Sequence, residues 1–248
     1  MVVIEALLGA IQGITEWFPV SSSGHLVLLQ SLFNFQHSVG FNVLVHLASM
    51  FVIIAVFWKE LLQFAKSFLT KKPEWKYLLY LILGTIPIAI FGFFFRNQVE
   101  LLFSNSTYLQ YAFLFTALML MLSKYKLADN RLDWISALII GVFQALALIP
   151  GISRSGMTLT IALIIGLRRK EAAKFSFFLA LPALFGAFIL ELPKVAAVPL
   201  GGAIVGFLAA FCVGFVSLKL LLRVIQSKKL HYFAPWAVLM AILVSLLL

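Results

Sequence analysis

The chain has 248 residues, 63% of them hydrophobic and only 11% charged, with a mean hydropathy of +1.07 and a formal net charge of +10. So little polar side chain cannot cover a water-soluble globule of this size, so composition excludes one and specifies a polytopic membrane protein. The basic surplus lies in short runs between apolar stretches, where membrane topology explains it, which excludes nucleic acid as a partner; the single Cys212 excludes an internal disulfide and a cysteine metal cage.

Residues 1–34 are apolar but broken at Pro19, and neither half is long enough to cross a bilayer, so a re-entrant helix hairpin is expected. The first charge is Glu5, so no cleaved signal peptide is expected there. Full spans follow at 40–58, 77–95 and 107–123, then a second broken segment at 133–167 with its break at Pro150 and Gly151, then spans at 174–192, 197–222 and 231–248. Between the first two spans, Trp58, Phe64, Phe68 and Trp75 are interleaved with lysines, the pattern of an interfacial helix at 60–76 lying on anionic lipid. The expected fold class is an all-α polytopic membrane protein with six transmembrane helices plus two re-entrant helix hairpins.

The two broken segments are copies. Residues 9–26 and 141–158 align at a constant offset of 132, placing Gln12 over Gln144, Ser21 over Ser153, Ser23 over Ser155 and Gly24 over Gly156. The chain therefore reads as a single membrane domain, 1–248, built from repeat 1 over about 1–123 (hairpin 1–34) and repeat 2 over about 133–248 (hairpin 133–167). Fifteen of the 19 Lys and Arg residues fall in the loops at 59–76, 124–132, 168–174 and 223–230, while Arg96 and Lys194 lie in the opposite loops. Cytoplasmic loops hold the positive charge, so both termini are expected outside. The first hairpin then enters from the outer face and the second from the cytoplasmic face, an inverted-topology repeat of the kind whose broken elements meet near the midplane.

Several polar groups lie where the membrane makes them costly. Glu16 is deep in an apolar segment, a functional-site hypothesis by default, and Glu5, Gly9, Gln12 and Glu16 recur at helical spacing as one stripe expected to face a cavity. Ser21, Ser22, Ser23, Gly24 and His25 open the half-helix after Pro19, where serine is a good N-cap and free N–H groups attract an anion. Ser153, Ser155 and Gly156 repeat that opening and add Arg154, whose planar fork matches a phosphate. A structural ion pair between Glu16 and Arg154 is the competing reading. If the tips meet, they form a polyanion site, and the carboxylate there either holds a divalent cation or accepts a proton. Asn42 with His46, and Ser176 with Pro182, are weaker candidates for the same cavity.

Two motifs, QGITE at 12–16 followed by PVSSSGH at 19–25, and PGISRSGMT at 150–158, with FNVLVHLAS at 41–49 and FSFFLALP at 175–182, resemble the integral-membrane undecaprenyl pyrophosphate phosphatases of the bacitracin-resistance type. The resemblance runs through nearly the whole chain. It implies an enzyme that removes the terminal phosphate of undecaprenyl pyrophosphate to regenerate the carrier lipid of cell-wall synthesis. The expected setting is a bacterial cytoplasmic membrane, with the site opening to the outer, periplasmic face. By position, Glu16, His25 and Arg154 match the family's essential residues and Ser22 a proposed nucleophile. Ser21, Ser153, Ser155 and Thr158 match its phosphate-site hydroxyls, beside Ser23, Gly24 and Gly156 of the two helix openings. The resemblance also implies stimulation by a divalent cation, Mg²⁺ or Ca²⁺. The family often has Glu at the position of Gln12 and an acidic residue at that of Asn42; Gln12, with Glu16, keeps a ligand oxygen but loses a charge, which bears on metal affinity or choice.

The expected partners are the polyprenyl pyrophosphate lipid and membrane lipids; a homodimer is compatible with the sequence and not specified by it. The residues leave open whether Ser22 or a water attacks, and whether His25 or Glu16 activates it. The rival reading is a polyprenyl-phosphate flippase or secondary transporter using the same midplane pocket, since inverted repeats with broken helices also describe carriers.

Overall fold

The sequence punctuates its helices with serine and asparate caps and with proline-glycine breaks, and in a computed structural model, which describes residues 2–33, 38–70, 74–104, 107–127 and 131–247, the elements follow that punctuation. Among the described residues every regular element is helical. α1 (Val2–Thr15) stops before Pro19 and α2 (Ser22–Phe33) resumes beyond it. α3 (Val39–Val56) is capped by Ser38, whose hydroxyl accepts from Phe41 N at 3.1 Å. α4 (Trp58–Ser67), α5 (Trp75–Phe94), α6 (Arg96–Ser104) and α7 (Leu109–Leu122) complete the first half. α8 (Trp134–Leu146), capped by Asp133, and α9 (Arg154–Ile165), capped by Ser153 and ended by Gly166 at φ 109°, form the second broken pair. α10 (Arg169–Leu190), α11 (Leu192–Ala196), α12 (Leu200–Gln226), a 3₁₀ turn (Leu230–Phe233) and α13 (Ala234–Leu247) follow.

Five of the expected spans are helical stretches of 18 residues or more with membrane-like hydropathy: 39–56, 75–94, 169–190, 200–226 and 230–247. The sixth, expected at 107–123, is the 14-residue α7, about 21 Å long against a hydrocarbon core of about 30 Å. Its end is set by Ser123, whose hydroxyl donates to Leu120 O at 2.6 Å and competes with the helical ladder. The expected interfacial helix is also shorter than 60–76: α4 closes at Ser67, where the side chain bonds Phe64 O at 2.7 Å, and Lys71 and Lys72 lie outside the described residues. No residue of α4 is buried, as suits a helix lying on a surface. On α5 only Leu81, Gly84 and Pro87 are buried, while Leu79, Ile82, Ile86, Ile90, Phe93 and Phe94 face outward. In water that face would aggregate; against acyl chains it costs nothing. The two basic residues of the opposite loops, Arg96 and Lys194, both pair with Glu191.

Each half of the chain supplies the support for the other half's broken pair. α1 lies along α12, and α8 lies along α5. Both crossings are made backbone to backbone through glycine: a Cβ on Gly9 would sit 2.2 Å from Gly206 O, and one on Gly141 would sit 2.3 Å from Gly84 O. This corrects the expected cavity-facing stripe on α1, because Glu5 and Gly9 pack on Gly202 and Gly206 of α12 while Gln12 and Glu16 alone reach the centre. A Gly141→Ala variant must push α8 off α5, so it is expected to lose about 1–3 kcal/mol, the usual cost of overpacking, and to melt earlier in detergent. Gly186→Ala, at a position with nothing within 4 Å of the added carbon, is the matched control and should melt like the parent.

Candidate active site

The two helix breaks meet at the centre of the bundle. Ser21 takes a left-handed backbone, φ 67°, and Gly151 does likewise at φ 93°; both conformations turn the chain sharply, and at 151 only glycine avoids the Cβ penalty. Gly24 lies so close that its added Cβ would be 2.9 Å from Gly151 Cα. Ser21 Oγ accepts from Gly24 N at 3.2 Å, capping its own helix, and from Gly151 N at 3.1 Å, clamping the other tip. Ser153 Oγ caps α9 by accepting from Gly156 N at 3.1 Å, and Ser155 Oγ crosses over to donate to Trp17 O at 3.1 Å. Thr116 on α7 fixes the second tip from the side, donating to Gly151 O at 2.8 Å and accepting from Ser153 N at 3.1 Å. The first turns of α2 and α9 therefore lie together, each a partial positive charge with N–H groups directed toward its start.

Glu16 stands at the end of α1 where these elements converge, with its side chain 5% exposed. Its Oε1 pairs with Arg154 Nη2. Its Oε2 accepts from Ser22 Oγ at 2.6 Å and from Gln12 Nε2 at 2.9 Å, and faces His46 Nε2 at 3.4 Å. A carboxylate buried this far needs such compensation. Two polar atoms of the cluster stay buried without a protein partner, Arg154 Nη1 and Gln12 Oε1. Leaving a donor and an acceptor unmet costs about 1–3 kcal/mol each, a cost that a bound ligand recovers. Arg154 and Glu16 line a narrow cleft with Ser155, Thr158, Ser176 and Phe177.

The structure thus gathers Gln12, Glu16, Ser22 and Arg154 on one carboxylate, and Ser21, Gly24, Ser153, Ser155 and Gly156 at the junction of the tips; Ser23 sits beside them, 3.3 Å from Ser21 Oγ. His25 is set apart. Its Nδ1 lies 2.7 Å from Ser21 O, so that nitrogen carries the hydrogen, and its Nε2 accepts from Trp236 Nε1 at 3.0 Å. Both ring nitrogens are taken, and Ser22 is hydrogen-bonded to Glu16. Thr158 stands at the back wall, donating to Arg154 O at 3.0 Å and bonded to Ser176. Sequence reasoning missed Trp236 and Thr116. Nothing in the sequence marks Trp236, whereas Thr116 is a lone hydroxyl inside an apolar run, fully buried, and that isolation is a usable signal.

For a divalent cation, the donors on offer are hard oxygens: the Glu16 carboxylate, the unpartnered Gln12 carbonyl and the Ser22 hydroxyl. These fit Mg²⁺ or Ca²⁺ chemistry. Among the described residues there is no group of three His, Cys, Asp or Glu side chains that could hold a metal. A cation here would take the rest of its ligands from phosphate oxygens and water.

A family model described as "Bacitracin resistance protein BacA" matches residues 5–243. Curated relatives include the undecaprenyl-diphosphatase of Thermosipho africanus, 43% identical over 96% of this chain and 96% of that protein. The undecaprenyl-diphosphatase of Korarchaeum cryptofilum is 38% identical over 98% of this chain and 97% of its own. That of Carboxydothermus hydrogenoformans is 38% identical over 97% and 95%.

Proposed function

The chain belongs to the bacitracin resistance protein BacA family, and on that footing we propose that it is a membrane phosphatase that hydrolyses undecaprenyl pyrophosphate to undecaprenyl phosphate and inorganic phosphate. Relatives that carry the undecaprenyl-diphosphatase name over almost the full length of the chain support the substrate. The observation that carries the reaction is the 2.6 Å hydrogen bond from Ser22 Oγ to Glu16 Oε2, formed beside Arg154 from the other tip.

The pyrophosphate docks over the first turns of α2 and α9, and the guanidinium of Arg154, with its Nη1 still unmatched, turns from Glu16 to the phosphate oxygens. The substrate thereby releases Oε1 of the carboxylate and leaves Glu16 a better base. Ser22 Oγ attacks the terminal phosphorus and its proton passes to Glu16 as the bond to the bridging oxygen breaks; undecaprenyl phosphate departs, and water then cleaves the phosphoserine. His25, locked between Ser21 O and Trp236, orients the turn that carries Ser22. A divalent cation held at Glu16 and Gln12 would neutralise phosphate charge and polarise the P–O bond.

The setting extends the same reading. Six membrane passes, with α7 completing its crossing through flanking turns, and two re-entrant hairpins make an inverted repeat, 1–123 and 133–248. It sits in the cytoplasmic membrane with both termini and the site opening outward. The complementary packing of α1 on α12 and α8 on α5, and the bias of basic residues among the loops, support this arrangement. The test is phosphate release from a polyprenyl pyrophosphate by purified protein in detergent, with and without chelator. Detergent has no second compartment, so release there is hydrolysis, and a protein that binds the lipid but releases no phosphate is a carrier instead.

A further inference from the structure

We propose that the groove between α4, α5 and α10 holds one acyl chain of an anionic phospholipid, with the lipid phosphate on Lys174. The site is separate from the catalytic cleft and stands whether or not the chain is a phosphatase.

The groove has a volume of about 430 Å³ and is walled by Leu61 and Phe64 of α4, by α5 from Leu78 to Ala89, and by Phe178 and Leu181 of α10. Thr85 is the one lining residue with a hydroxyl, and it donates to Leu81 O at 2.7 Å, so the walls offer a guest only hydrocarbon contact. The stretch from Leu78 to Ala89 is about 16 Å of helix, close to the depth of one leaflet of a bilayer whose hydrocarbon core is about 30 Å thick. That length suits a single phospholipid chain. The cleft takes Ser176, Phe177 and Ala180 of α10, whereas the groove takes Phe178, Leu181 and Pro182. At about 100° per residue these sets lie on different sides of the helix, so the groove is not an arm of the cleft.

A cation at one end of the groove selects the headgroup. Lys174 Nζ stands over the rings of Tyr77 and Phe178, 4.9 Å and 5.4 Å from their centroids. Phe178 in turn packs on Phe64, the wall contributed by α4, at 6.3 Å. The ammonium makes no salt bridge with any described residue, and Glu74 and Glu171, whose charges reach Tyr77, do not pair with it. Aromatic faces stabilise a cation without neutralising it, so the charge still attracts an anion. The Tyr77 hydroxyl is buried without a protein partner, a further donor at the same end. Lys174 lies about 8 Å along α10 from Arg169. Arg169 and Lys170 begin that helix and Lys66 stands in the last turn of α4, which sets this end at the headgroup level of the leaflet that the basic loops face. A phosphate at Lys174 and a chain in the groove are the two ends of one phospholipid.

The experiment titrates the purified full-length chain in detergent with phosphatidylglycerol or with phosphatidylcholine of the same chains, read by native mass spectrometry, with thermal melts as the check on folding. The parent is expected to prefer phosphatidylglycerol, and Lys174→Gln to lose about fivefold in affinity for it, the worth of one basic residue at an anionic lipid surface, and little for phosphatidylcholine. Lys174→Arg should keep the parental preference. Ala89→Phe, which fills the inner end of the groove, should weaken both lipids. Equal binding of the two lipids by the parent overturns the proposal, as does an unchanged preference in Lys174→Gln or unchanged binding in Ala89→Phe. Glycerol phosphate, which has no chains, should not displace phosphatidylglycerol. Displacement by it reduces the site to a surface anion contact, and displacement by polyprenyl phosphate at matched concentration gives the groove to that longer tail; either result also overturns the proposal.

Discussion

Replacing Glu16 by Gln is expected to lower phosphate release by about 10²–10⁴-fold, the range attributed to a positioned general base. The substituted amide keeps the length of the side chain and one carbonyl oxygen, so Ser22 keeps a hydrogen-bond acceptor. What disappears is the negative charge proposed to take the Ser22 proton. The same change leaves the Arg154 guanidinium, 17% exposed, without its counter-charge. Removing one partner of a buried pair costs about 3–5 kcal/mol, so the variant should also melt earlier. Added phosphate or pyrophosphate should restore much of the lost melting temperature by supplying an anion to Arg154. A folded Glu16→Gln protein turning over within a few-fold of the parent would remove Glu16 from the chemistry.

Arg154→Ala is expected to cost about 10²–10³ in turnover, as when one preorganised donor to a developing anion is lost. Arg154→Lys should recover only part of it, because an ammonium keeps the charge but lacks the fork whose Nη2 holds Glu16 and whose Nη1 stands unmatched. The double substitution Glu16→Gln with Arg154→Gln separates a working site from a structural ion pair. If the pair only holds the tips together, replacing both charges by neutral, hydrogen-bonding amides restores activity as well as the melting temperature. The site described here demands the opposite: a protein with near-parental melting and no better turnover than the worse single variant. Phosphate release and thermal melts on the same preparations decide it.

What the sequence discloses of this fold and site depends on the kind of signal. The breaks at Pro19 and at Pro150–Gly151 were legible because proline and glycine act on the backbone locally, and α1, α2, α8 and α9 stop and start there. The meeting of the tips is expected from the copy alignment and from the loop Lys and Arg residues that make the copies inverted, and Glu16 and Arg154 pair where they meet. The role of Gly9 was not legible. Its spacing with Gln12 and Glu16 suggested a cavity, but only the arrival of Gly206 from the far end of the chain shows that the missing Cβ makes room for a backbone. α7 starts two residues after and ends one residue before the expected 107–123, and its C-terminal stop lies at a single hydroxyl, Ser123, too local for a hydropathy pattern to register. His25 is a candidate activator by its place beside the serines; that Trp236, 211 residues away in sequence, donates to its Nε2 is visible only in the fold.

The crossing of α1 on α12 also fixes an order of events at the ribosome. Translation delivers α1, Gln12 and Glu16 before the small-residue face of Gly202, Gly206 and Ala210 on α12, with Arg154 in between. Until α12 has emerged, α1 with its polar end lacks that seat, and it is expected to wait at the interface or in the shelter of the insertion machinery. Stalled nascent chains should show that wait: a cysteine placed on α1 would stay open to aqueous reagents while the chain ends before residue 200 and become shielded once residue 226 has emerged.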